Sequence, residues 1–126
     1  VFAIGDSTDS SVQVKVLHSL GLKAAFKTSG RLLDLVRNLK NNVPIPIGIL
    51  HHGPSNAPSG GGHWILVTGF DDSTQKFTVN DPWGTIDHKT GTYISTDGHA
   101  KQYSYGLIRT RWMVDGDGSG WYIDLA

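Results

Sequence analysis

The 126-residue chain contains no cysteine and a single methionine. Without a thiol, these residues hold no disulfide, no thiolate metal ligand and no cysteine nucleophile. Charge of one sign is lacking too, because 11 basic side chains balance 11 acidic ones and the formal net charge is zero. Electrostatic capture of nucleic acid or of an anionic membrane needs a basic excess or patch, so neither is the main activity. There is no long hydrophobic run. The longest apolar stretch, Val43 to Leu50, is interrupted by Pro44, Pro46 and Gly48 and falls far short of the ~20 residues that span a bilayer, so no membrane insertion is expected. Val1-Phe2-Ala3-Ile4 is too short for the apolar region of a signal peptide, and the first residue is not methionine. The chain is therefore expected to begin inside a longer polypeptide.

What is present suffices for one globular domain over residues 1–126, with 38% hydrophobic and only 17% charged residues. Thr8, Asp9 or Ser10 can cap a helix carrying Val12, Val16, Leu17 and Leu20, which Gly21 ends. Ser29 can cap a second, with Leu32, Leu35, Val36 and Leu39, ending at Lys40-Asn41-Asn42. A short strand is expected between them over 22–27. Ile45, Ile47, Ile49 and Leu50 read as a buried strand, and His51 to Gly62, with Pro54, Pro58 and a glycine run, as a loop suited to a flap. Strands follow over 63–70, 76–81 and 121–125, with weaker candidates over 92–95 and 102–105. Helices followed by strands give an α+β class with an antiparallel sheet.

The most informative segment is His63-Trp64-Ile65-Leu66-Val67-Thr68-Gly69-Phe70, then a polar turn over 71–75, then Lys76-Phe77-Thr78-Val79-Asn80-Asp81-Pro82. Matching apolar faces sets Val67 opposite Phe77, Ile65 opposite Val79 and His63 opposite Asp81. A two-residue slide keeps His63 and Asp81 on one face as diagonal neighbours, whereas a one-residue slip spoils the apolar match. A histidine oriented by a carboxylate is the base-and-orienter half of a nucleophilic triad. The same pair also fits a cross-strand contact that only fixes register, and spacing alone leaves both readings open.

With these residues in place, the chain resembles the papain-like cysteine peptidases that include the bacteriocin-leader-processing (double-glycine) peptidases, particularly a phage and bacterial branch. The resemblance lies in Gly61-Gly62-His63-Trp64 leading to Val67-Thr68-Gly69-Phe70, and in Val79-Asn80-Asp81-Pro82-Trp83-Gly84. It extends through Ser19-Leu20-Gly21-Leu22, Val43 to Gly48, Leu50-His51-His52-Gly53-Pro54 and Arg111 to Trp121, so it covers most of the chain. It implies a papain-like α+β fold, with His63 as general base and Asp81 as the residue orienting it. His52, Gly62, Trp64 and Trp83 would border the peptide substrate. The resemblance further implies a nucleophilic cysteine at a helix start, and a glutamine before it, upstream of residue 1. Gln13 sits inside the first expected helix and does not take the glutamine's role.

The implied substrate is a peptide or protein, either a protein leader or a cell-wall cross-link. A phage lysin or virion setting, or an extracellular one, would go with the second. No cofactor or metal is implied. The alternative is a peptidase-derived module that no longer catalyses and instead binds peptide or joins other subunits of a phage or secretion assembly, such as a tail.

Other candidates have simpler explanations. Ser10 and Ser11 read as helix caps. His51 and His52 read as cleft border or strand end, and with His63 and Asp81 they match no zinc spacing. His18, His88 and His99 read as surface residues. Asp115-Gly116-Asp117-Gly118 lacks the spacing and terminal glutamate of a calcium loop and reads as a turn. Trp64, Trp83, Trp112 and Trp121 read as core or rim, with Trp83 nearest the pair.

Overall fold

A computed structural model of the chain describes residues 9–126. The first helix, α1 (Ser10–Ser19), is capped by Asp9, whose carboxylate accepts from the Ser11 N–H at 2.8 Å. Of the expected caps, Thr8 lies outside the described residues. Strand β1 (Ala25–Gly30) starts and ends later than expected, and Ser29 belongs to it and caps nothing. The N-cap of α2 (Leu32–Lys40) is Arg31, whose N–H donates to the Asp34 carboxylate at 2.9 Å. Gly30 explains the shift. It pairs with Gly120 across the sheet, and a Cβ on either glycine would run into the Trp112 ring, at 2.5 and 2.2 Å respectively. The strand therefore has to continue to Gly30 for that ring to lie over it.

The remaining elements are β2 (Ile45–Ile49), β3 (His63–Asp71), β4 (Lys76–Asn80), β5 (Thr85–Asp87), β6 (Thr92–Ser95), β7 (Lys101–Ser104), α3 (Tyr105–Trp112) and β8 (Gly120–Asp124). Six strands form one antiparallel sheet in the order β1-β8-β2-β3-β4-β7, and β5 pairs with β6 in a separate ribbon. The protein is thus α+β, with helices against a mostly antiparallel sheet, as in papain-like peptidase domains. Ile45, Ile47, Ile49, Ile65, Val67, Phe77 and Val79 alternate onto the covered face and pack with Leu35, Ile108 and Trp112.

The β3–β4 register differs from the expected one by two residues: Val67 faces Val79. An irregularity between Val67 and Gly69 then lets Phe70 face Phe77, so both apolar pairs are matched, which a straight ladder could not achieve. Helix α3 and strand β5 were not expected. Ser104 caps α3 by accepting from the Leu107 N–H at 3.0 Å, and Leu107, Ile108, Arg111 and Trp112 make its buried face. The 51–62 segment is not a bare loop, since His52 and Ser59 exchange backbone hydrogen bonds at 3.0 and 2.8 Å.

Candidate active site

Three neighbouring strands end at one place. On β2 the buried face runs Ile45, Ile47, Ile49 and continues to His51; on β3 it begins with His63; on β4 it runs Phe77, Val79 and continues to Asp81. Because Ile49 faces His63 and Val67 faces Val79, both His51 and Asp81 are diagonal neighbours of His63 on the same face. Here the slide of two residues is realised: the pair is diagonal and not directly opposed. His63 Nε2 lies 2.7 Å from Asp81 Oδ1, and both residues are buried.

Asp81 is held from every side. Besides His63, its carboxylate accepts from the Trp83 N–H at 3.0 Å, the Tyr93 hydroxyl at 2.9 Å and the Tyr103 hydroxyl at 2.8 Å. Tyr103 comes from β7 opposite Phe77, and Tyr93 from the β5–β6 ribbon. Burial by itself pushes the Asp81 carboxyl up. The hydrogen bonds from His63, Tyr103 and the Trp83 backbone outweigh it and hold the group below the ordinary carboxylate value. Burial, with the Asp81 charge added, pushes both tyrosines well above their ordinary range, so their hydroxyls stay protonated donors.

With Nε2 engaged, the free nitrogen of His63 is Nδ1. It makes no hydrogen bond among the described residues, and no side-chain nitrogen or oxygen there is both buried and unpartnered. The arrangement can accept a proton at Nδ1 while Asp81 stabilises the resulting imidazolium through Nε2–H. The sequence model of the Peptidase C39-like family matches residues 5–111. The chain belongs to the Peptidase C39-like family. No curated protein matches it.

For a member of this family, the surroundings of the pair are aromatic. The His51 ring stacks on His63 with centroids 3.9 Å apart and planes 12° apart, and His52 lies 4.0 Å beyond. Trp83, 58% exposed, stands edge-on to His51 at 5.3 Å and to His63 at 6.3 Å. Of the expected border residues, His52 and Trp83 thus surround the pair. Trp64 alternates to the other face of β3, where it meets Phe26 edge-to-face at 6.3 Å and, with Gly62 and Trp121, lines a separate groove of about 320 Å³.

The sequence reading placed His51 only as a cleft border or strand end, without its stack on His63, and gave no role to Tyr93, Tyr103 or Arg111. The alternation Ile45-Ile47-Ile49-His51 is a signal that could have found the first. Arg111 is fully buried on α3 and donates to the carbonyls of Leu50, His52, Gly53 and His88 and to His88 Nδ1, so His88 is a half-buried partner and not the surface residue expected. Among the described residues, no cluster of histidine and carboxylate groups is arranged to hold a metal ion.

Burial, then the neighbouring His63 and His52, lower the His51 pKa from 6.5 to about 4. Between those values the unfolded chain binds a proton that the folded chain refuses, so stability falls as the pH is lowered through this window. Asp81 acts at lower pH, because its stabilisation is lost only as the pH falls through its depressed value. Urea denaturation at the two ends of the His51 window should differ by about 2 kcal/mol, and His51→Phe should flatten the profile. An equally steep profile in the variant would remove His51 as the cause.

Proposed function

We propose that this chain is the base-bearing part of a cysteine peptidase that hydrolyses peptide bonds, with the nucleophilic cysteine supplied by a residue outside these 126. The observation supporting this reading is that Asp81 engages Nε2 of His63 and leaves Nδ1 unengaged by the described residues beside an aromatic rim. In the reaction, His63 Nδ1 takes the thiol proton. The thiolate attacks the amide carbonyl, the C–N bond breaks, and His63 returns the proton to the leaving amine. Water then releases the acyl group from sulfur, with His63 again taking a proton. His52 and Trp83 border the peptide, whereas Gly62 and Trp64 line the separate groove on the other face of β3. A protein leader or a cell-wall cross-link is the substrate, the latter in a phage lysin or virion-associated enzyme.

The absence of cysteine favours a second reading, a non-catalytic peptide-binding or structural module of a larger assembly. To separate them, the protein encoded by the whole reading frame is treated with a thiol-directed electrophilic peptide and incubated with double-glycine leader peptides and cell-wall peptides. Labelling of one cysteine together with cleavage of either substrate is the expected result. A mature protein with no labelled cysteine and no cleavage would sink the peptidase reading and leave the binding module.

A further inference from the structure

We infer that His51 is a specificity-determining residue of the peptide cleft: its Nε2 accepts a backbone N–H of the substrate, from the amide at the cleaved bond or the one beside it, while the chain Asp81–Tyr93–His51 holds the ring's own proton on Nδ1. The inference rests on the reading of His63 as the base of a peptidase. Both oxygens of Asp81 are filled, Oδ1 by His63 Nε2 at 2.7 Å and the Trp83 N–H at 3.0 Å, Oδ2 by the hydroxyls of Tyr93 at 2.9 Å and Tyr103 at 2.8 Å. The Tyr93 proton is committed to the carboxylate, the charged and therefore stronger acceptor. Its oxygen lies 3.0 Å from His51 Nδ1 and, with no second proton to give, can only accept there. A neutral imidazole carries one proton, so Nε2 of His51 is left as a bare acceptor. Burial keeps the ring neutral.

His51 is only 6% exposed, and its one side-chain hydrogen bond among the described residues is the one to Tyr93. The stack gives the direction of Nε2. The His51 and His63 rings lie 3.9 Å apart with planes 12° apart, and each turns one nitrogen to the Tyr93 oxygen, His51 Nδ1 at 3.0 Å and His63 Nε2 at 3.3 Å. The two nitrogens of an imidazole diverge, so the second nitrogen of each ring, His51 Nε2 and His63 Nδ1, points away from that oxygen. The bare acceptor thus shares a side of the stack with the nitrogen that handles the substrate's proton, one ring further along. That step is close to the length of one residue of extended chain, about 3.3–3.6 Å, which singles out the scissile amide or its neighbour. A backbone N–H is the group that fits. A carboxylate finds no donor on this ring, and an ammonium would face the imidazolium that forms on His63. Proline, which has no N–H, is refused at that one position.

Two measurements test this. Long-range proton–nitrogen correlation spectra of the nitrogen-labelled chain, recorded above neutrality, should show His51 protonated at Nδ1 and bare at Nε2, and Tyr93→Phe should spread the proton over both nitrogens. A proton on Nε2 in the unaltered chain, or one that stays on Nδ1 without the tyrosine oxygen, overturns the inference. The second measurement uses the protein of the whole reading frame and the leader or cell-wall peptide it cleaves, with each backbone amide in turn replaced by an ester, which deletes one N–H. At one position, at or next to the cleaved bond, the replacement should cost the unaltered enzyme about fivefold more in kcat/KM than it costs His51→Phe, the factor one net hydrogen bond carries. At all other positions the two should lose equally. His51→Gln, whose amide oxygen can reach the place of Nε2, should restore the difference, which a ring needed only for packing would not do. Equal losses in His51→Phe at every position overturn the inference and leave water as the partner of Nε2. If His51→Phe does not fold, Tyr93→Phe takes its place, since it lets the His51 proton occupy Nε2, and equal losses there overturn the inference too. A protein that cleaves no peptide strikes the peptidase reading; binding of the same peptides is then followed at the His51 Nε2 resonance, and a resonance unmoved by excess peptide overturns this inference as well.

Discussion

Replacing Arg111 by methionine should destabilise the domain by about 3–5 kcal/mol and lower Tm by roughly 10–20 °C. The guanidinium is fully buried and, among the described residues, forms no ion pair, the Asp87 charge acting on it only from a distance; its partners are the carbonyls of Leu50, His52, Gly53 and His88, at 3.3, 3.0, 2.8 and 2.6 Å, and the His88 ring. Burying an unpaired cation is costly, and here dispersed backbone dipoles offset that cost. Methionine fills similar space but leaves the Leu50, Gly53 and His88 carbonyls without that donor in a place water reaches poorly, while the His52 carbonyl keeps only the Ser59 N–H. Arg111→Lys keeps the charge yet brings three donors on a single nitrogen and cannot span the same set, so it should recover less than half of the loss. Denaturant midpoints of the variants measure this. A methionine variant within about 1 kcal/mol of the original would mean that the carbonyls find water, and Arg111 would then not be what pins this segment.

On the proposed peptidase reading, Asp81→Asn should lower kcat/KM for peptide hydrolysis by the protein of the whole reading frame about 10³–10⁴-fold. The carboxylate accepts from four donors, His63 Nε2, the Trp83 N–H and the hydroxyls of Tyr93 and Tyr103, and an amide can satisfy them only in part. If its NH₂ takes the Oδ1 position, it opposes the Trp83 N–H and drives the His63 proton to Nδ1. If it takes the Oδ2 position, both tyrosines must turn away, Tyr103 toward the Gly84 carbonyl at 3.1 Å and Tyr93 toward His63. In either orientation the charge that stabilises the imidazolium is gone. A loss smaller than about tenfold would remove Asp81 from the orienting role.

Much of the site was legible because strand alternation is a strict rule. Ile65, Val67, Phe77 and Val79 could face one core only if His63 and Asp81 shared that face, and this held although the register moved by two residues. The move itself was not legible, since an extra residue at a bulge leaves no mark in a pattern of period two. Helix α3 was missed because Tyr105-Gly106 reads as the end of a strand. Its cap at Ser104 and the spacing of Leu107, Ile108, Arg111 and Trp112 were nonetheless there to be counted. Ser29 was misplaced as a cap because the packing of Trp112 over Gly30 and Gly120 is a long-range demand no local signal records. Tyr93 and Tyr103 reach Asp81 from 12 and 22 residues away in the chain. Nothing short of the folded backbone brings their hydroxyls together.

The two tyrosines that donate to Asp81 stand on different foundations. Tyr103 belongs to the six-stranded sheet, whereas Tyr93 belongs to a ribbon of two strands, three and four residues long, that pairs only with itself. Such a ribbon is marginal alone, so it opens locally at lower cost than the sheet does, and its amides should exchange with solvent hydrogen sooner. Each opening withdraws the Tyr93 hydroxyl and leaves the His63–Asp81 contact in place. The histidine and the aspartate should thus exchange slowly and the Tyr93 strand sooner, and any opening of the ribbon would detune the pair without dismantling it.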